Sequence, residues 1–175
     1  MKKYLLMTFI FAAFGLSSLF AQSATKIGYI DSQVILAQYP AAVKAQGEIQ
    51  SAINKVKASM DSLGQAYQQS LADYQKQSNM MTDAKKKEVQ QQIMTMENEY
   101  NSLRGKLDQN GEVSQLSQKL MKPIIDKIKT TVEEVAKKEG VKLVLEKNDQ
   151  LQSIWYAEPS MDLTYKVLDK LKTTK

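Results

Sequence analysis

Between residues 49 and 107 apolar side chains recur in two matching series. Ile49, Ile53, Val56, Met60, Leu63, Tyr67, Leu71 and Tyr74 are spaced 4, 3, 4, 3, 4, 4, 3, and Val89, Ile93, Met96, Tyr100, Leu103 and Leu107 are spaced 4, 3, 4, 3, 4. Steps of three and four place each set on one stripe of an α-helix, the heptad seam along which helices pack, with a stutter after Tyr67. Between the two series, Ser78-Asn79-Met80-Met81-Thr82-Asp83 supplies turn and cap formers. Two seams joined by a short polar turn make an antiparallel helical hairpin. The first helix is predicted to run for about forty residues, close to 60 Å at 1.5 Å per residue.

The hairpin is framed by shorter elements. Ile27 to Ile30 reads as a strand, Asp31 or Ser32 as the cap of a brief helix through Ala37, and Pro40 as a helix start. After a polar patch holding Gly105 and Gly111, the apolar spacing of the return helix resumes at Leu116, Leu120, Ile124, Ile128, Val132 and Val135 and ends at Gly140. Pro123 removes a helical hydrogen bond, so a kink or break is expected near Lys119 to Lys122. Val141, Leu143 and Leu145 then alternate with Lys142, Val144 and Glu146 in a strand, and Leu151 to Ala157 reads as its antiparallel partner. Trp155 is expected to pack inside the body so formed. Asp162 caps a last helix whose face carries Leu163, Val167, Leu168 and Leu171.

Lys2 and Lys3 precede a charge-free apolar run from Tyr4 to Phe20, and Ala21 offers a small residue at a cut before Gln22. Residues 1–21 therefore read as a secretory signal peptide. An uncleaved anchor competes, but Gly15, Ser17 and Ser18 and the lack of basic residues after the run favour cleavage; with no cysteine near the cut, a lipoprotein is excluded. Residues 22–40 and 122–175 form a body built from both ends of the chain, and residues 41–121 an arm inserted between them. The body is small and its short strands leave open edges, so it is marginal alone and is expected to self-associate through those strands.

The chain has no Cys and no His, which removes disulfides, thiol nucleophiles, the common zinc ligands and the usual near-neutral general base. Glu133 and Glu134 are adjacent, so on a helix they diverge by about 100 degrees and cannot flank one bond. The residues offer no catalytic constellation, no metal site and no cofactor motif, and an enzyme is not expected. Residues 41–80 carry four Lys against three acids (+1), residues 81–120 six basic against six acidic (zero), and residues 121–175 eleven Lys against nine acids (+2). No segment is the dense basic face that nucleic acid requires.

The blocks "KIGYIDSQVILAQYP", "LMKPIIDKIKTTVEEVAKKEGVKLVLEK" and "IWYAEPSMDLTYKVLDKLK" resemble the Skp (OmpH-like) family of periplasmic chaperones, and the order of elements agrees over the whole chain after residue 21. The resemblance implies a mainly α fold with a small β body: a homotrimer whose strands close a central barrel and whose helical hairpins project around a cavity. It implies an ATP-independent holdase for unfolded outer-membrane β-barrel proteins. Family members often have strongly basic arms, whereas residues 41–120 here sum to only +1.

Candidate contacts with such clients lie on the arm. Six of the seven methionines after residue 21 fall between Met60 and Met121, and methionine's flexible, polarizable chain suits a surface that accepts many apolar sequences. Met60 and Met96 belong to the seam, while Met80 and Met81 at the tip and Met94 off the seam are candidate client contacts. Tyr67, Tyr74 and Tyr100 sit on the seam with hydroxyls that can face a cavity. Lys85, Lys86 and Lys87, with Lys76 across the turn, read as a solvated tip or as a positive lip for acidic segments or, weakly, anionic lipid. Three lysines in a first helical turn oppose the helix dipole, which local stability would not favour. A structural coiled-coil adaptor of the envelope is the alternative reading; it would need one sharply defined apolar stripe near the tip, and Tyr74 to Gln92 shows scattered Met, Tyr and Gln instead.

Overall fold

The computed structural model describes residues 25–148 and 153–173. The expected signal peptide, and Leu151 and Gln152 of the expected second body strand, lie outside the described residues. Strand β1 (Ile27–Ile30) leads into helix α1 (Ser32–Gln38), capped by Asp31, whose carboxylate accepts from the Val34 N–H at 3.0 Å. Helix α2 (Pro40–Gln77) starts with the proline at its first position, where the missing N–H costs nothing, and runs unbroken for 38 residues. A 3₁₀ turn (Ser78–Met80) reverses the chain, and Thr82 caps α3 (Asp83–Leu107) by accepting from the Lys85 N–H at 3.3 Å. The heptad seam is real. Each seam residue of α2 from Ile49 to Tyr74 is half-buried, as is each of α3 except Tyr100.

The return arm is two helices, because the chain leaves helical geometry at Asp108–Gly111 and re-enters it in α4 (Glu112–Glu139). The expected break near Lys119 to Lys122 is corrected to this site. Asp108-Gln109-Asn110-Gly111 is rich in turn formers, and the Gly111 N–H donates to the Asp108 carbonyl at 2.9 Å. A Cβ on Gly111 would run into the carbonyl oxygens of Gly105 and Lys106, so the jog requires glycine. Helix α4, by contrast, passes through Pro123. An interior proline costs about 3 kcal/mol, but Lys119, Lys122 and Pro123 are exposed, where water can satisfy the freed carbonyl. The same helix buries Ile128, Thr131, Val135 and Ala136, which offsets the cost.

Gly140 stops α4 in the left-handed region (φ 68°), and the Val141 N–H bonds back to the Ala136 carbonyl at 2.9 Å. Strand β2 (Leu143–Glu146) then pairs in parallel with β1, Ile27 opposite Leu143 through Ile30 opposite Glu146. The other side of β1 is taken by the Leu163 N–H, which donates to the Tyr29 carbonyl at 2.9 Å. The expected antiparallel partner strand does not form over its described part, Ser153 to Ala157. Ser153 instead turns back to donate to the Glu146 carbonyl at 2.8 Å. Trp155 is 87% exposed and Tyr156 81%, so Trp155 does not pack inside the body as expected; the bonds from Ser153 to the Glu146 and Asn148 carbonyls turn the segment back on itself, so that it does not run along β2. Helix α5 (Thr164–Thr173) is capped through Asp162 and buries Val167, Leu168 and Leu171, with Leu163 buried just ahead of it, as the spacing predicts.

These elements close one core of Ile35, Ile128, Val135, Ala136, Val141, Leu163, Val167 and Leu171, drawn from α1, α4, α5 and the segments beside the strands. Fully burying an Ile or Val side chain contributes about 1.5–3 kcal/mol. The hydrophobic stabilisation is therefore concentrated at the end of the molecule where α1, the C-terminal half of α4, the strands and α5 come together.

Candidate functional site

Between Ala45 and Ile128 no side chain is buried. The arm is a two-layer structure, and neither helix can cover more than one side of the other. Along it the hairpin is held by seam contacts and a few cross-helix bonds: Ser70 Oγ lies 3.9 Å from Met96 Sδ, and Gln90 Nε2 donates to the Tyr74 hydroxyl at 2.6 Å.

The structure separates the sequence candidates into two groups. Met80, 82% exposed, and half-buried Met81 sit at the turn with Lys76, Lys85, Lys86 and Lys87 around them. Here the dipole conflict is offset by local acids: Lys85 pairs with Glu88 at 2.7 Å and Lys86 lies 4.0 Å from Asp83, the first residue of α3. Lys76 lies in the last turn of α2, where a cation favours the dipole. The second group lies farther down the arm, about 20 Å from the tip at the helical rise of 1.5 Å per residue. There Tyr67 and Tyr100 line one groove with Met60, and Tyr100 is 39% exposed although it occupies a seam position. Met94 is exposed outside both groups, and Tyr74 lies between them, tied to Gln90.

Residues that the sequence reading passed over complete the picture. Asp61, Gly64 and Glu97 line the same mid-arm groove, of about 1020 Å³. On the body, Ile125, Leu143 and Leu145 are exposed, and Ile125 and Leu145 join Leu36, Val132 and Val144 around a mostly apolar cleft of about 500 Å³. Two signals pointed there. Leu143-Val144-Leu145 is apolar on both faces of a strand, the mark of a strand covered on both sides, and Ile125 beside Ile124 adds a second apolar stripe to α4.

The charged groups of the body are structural. Lys166 Nζ lies 2.6 Å from Glu139 Oε2 and Lys170 Nζ 2.6 Å from Glu134 Oε2, and in each pair the lysine's hydrogen bond holds the glutamate below the ordinary carboxylate range. Burial, followed by the carboxylate of Asp162, raises the Tyr29 phenol.

A small α/β body thus carries a long, barely buried helical hairpin, with apolar side chains left exposed on both. The Outer membrane protein (OmpH-like) family matches residues 26–171, and the chain belongs to that family. A crystal structure from Caulobacter crescentus described as an OmpH-like outer membrane chaperone has the same fold: TM-score 0.65, 15% identity, 86% of each chain covered. No curated protein matches closely enough to count as a relative. Among the described residues, no helix is long and apolar enough to cross a membrane.

Proposed function

We propose that this chain is an ATP-independent periplasmic holdase, a chaperone that binds unfolded outer-membrane β-barrel proteins between its arms and keeps them from aggregating. The observation that carries the reading is the stretch between Ala45 and Ile128, residues 46–127, where no side chain is buried while Met80, Met94 and Tyr100 are exposed. Such a stretch adds little to the stability of its own fold, so its surface is free for another chain. Family membership and the chaperone description of the Caulobacter structure support the same conclusion. Residues 1–21 direct export and are removed, residues 41–121 act as the arm, and residues 22–40 and 122–175 as the body.

The working unit is a homotrimer. A two-stranded sheet with an open outer edge among the described residues, flanked by exposed Leu143, Leu145 and Ile125, is completed when neighbouring copies add strands and close a ring. Trp155 and Tyr156, exposed in one chain, then gain a surface to pack on. Contact of the tip with anionic lipid is weak, because Lys85 and Lys86 already face Glu88 and Asp83. The client is held by contacts alone, with no reaction step.

Light scattering tests this directly. The expected native mass is that of three chains, rising by one client when an unfolded β-barrel outer-membrane protein is diluted in. A stable folded monomer, or a trimer that leaves client aggregation unchanged, refutes it.

A further inference from the structure

Helix α2 carries a glycine in its interior that its packing does not require. A Cβ on Gly64 would meet only the Tyr100 ring, at 3.9 Å, an ordinary contact. Glycine is less favourable than alanine inside a helix, so the position gives up stability without a steric reason. What it does provide is an open floor for the mid-arm groove, with Met60, Tyr67 and Tyr100 as walls and Asp61 and Glu97 also lining it. Both carboxylates are exposed, neither is in an ion pair among the described residues, and no lysine or arginine lines the groove. The groove is thus locally anionic on an arm whose overall charge is near zero.

We infer that this groove is a subsite for a cationic side chain, an arginine or lysine flanked by apolar residues in an extended segment of the bound chain. A cation over a tyrosine face is attracted by the ring quadrupole, and a nearby carboxylate reinforces it. An arginine is the better occupant, because its planar head stacks on a ring while its fork meets a carboxylate. The inference rests on the holdase reading and deepens it: the tip contributes adaptable apolar contact, and the groove contributes selection for positive charge.

The experiment uses the whole chain and two fluorescein-labelled unstructured peptides of alternating apolar and polar residues, one with a central Arg beside Trp and one with Gln in place of that Arg. Anisotropy should give about five-fold tighter binding of the Arg peptide, the scale of one exposed cation–π or ion-pair contact. In the double variant Asp61→Asn, Glu97→Gln that preference should vanish, and Gly64→Ala should weaken the Arg peptide while raising the thermal midpoint. All three residues lie outside the core, so the variants fold. Equal binding of the two peptides, a preference that survives the double variant, or no binding of either peptide overturns the subsite. Suppression of client aggregation, measured on the same preparations, separates the two ideas: if it persists while the preference is absent, the subsite is wrong and the holdase stands; if it is lost in the parent chain, the holdase reading falls as well.

Discussion

Lys166 Nζ sits 2.6 Å from Glu139 Oε2, joining the C-terminal helix α5 to the last turn of α4, and one turn farther along α5 Lys170 repeats the contact with Glu134. Both glutamates are held below the ordinary carboxylate range by these lysines. A carboxylate with a lowered folded pKa stabilises the fold at pH above its unfolded value, about 4.3 for glutamate, and loses that contribution as pH falls through the folded value. The double variant Glu134→Gln, Glu139→Gln should therefore be less stable than the parent at pH 7, and the difference should shrink as pH falls below the unfolded glutamate value and through the lowered folded values. Urea midpoints measured from pH 7 to pH 3 check this; a difference independent of pH would show that the pairs act only as neutral hydrogen bonds.

Core and seam should respond differently to truncation. Ile35 is fully buried, so Ile35→Ala is expected to cost about 2–5 kcal/mol. Leu63, half-buried on the seam, should cost about 1 kcal/mol when changed to Ala, because less area leaves water there. Equal losses in chemical denaturation would mean that the arm is as much a part of the cooperative unit as the body.

The jog at Asp108–Gly111 depends on a missing side chain. Gly111→Ala should destabilise the arm by about 1–3 kcal/mol, since the added methyl meets backbone that cannot move aside. Gly47→Ala, with nothing within 4 Å, should stabilise α2 by about 0.5–1 kcal/mol. Hydrogen exchange should place the first effect at residues 105–115 and leave the core amides unchanged.

On the body, Leu143→Asp with Leu145→Asp should lower the native mass to that of one chain without loss of helicity. Both side chains are exposed in the single chain and lie on β2, beside its open edge. A trimeric mass retained by this variant would move the subunit interface elsewhere.

Client kinetics should divide between the exposed methionines of the arm and the charged groups of its tip. Met80→Ser with Met94→Ser removes exposed apolar area at about 25 cal/mol per Å² and should raise the dissociation rate. Lys76→Gln with Lys87→Gln should mainly slow association, because exposed charge acts on encounter. Stopped-flow measurements at two salt concentrations separate the two; a steep loss of equilibrium affinity with salt and no effect of the methionine changes would place the client on the basic tip.

Local rules alone determined most of the elements. Period-3.5 spacing marked both hairpin seams, Asp31 or Ser32, the cap formers of Ser78 to Asp83 and Asp162 marked helix starts, and Gly140 marked a stop, because each of these signals acts over a few residues of backbone. Elements whose outcome depends on distant partners were not legible. Pro123 reads as a breaker, yet its helix continues because the opposite face is buried in the core and the freed carbonyl lies on an exposed stretch. Gly111 reads only as part of a polar patch until the Gly105 and Lys106 carbonyls are brought against it. Trp155 reads as core, and only the turn that ties Ser153 back to Glu146 and Asn148 shows that its side chain is left exposed in its own chain. The mid-arm groove is of the same kind: Asp61 and Gly64 on one helix and Glu97 and Tyr100 on the other are unrelated in sequence, and only the register of the hairpin places them together.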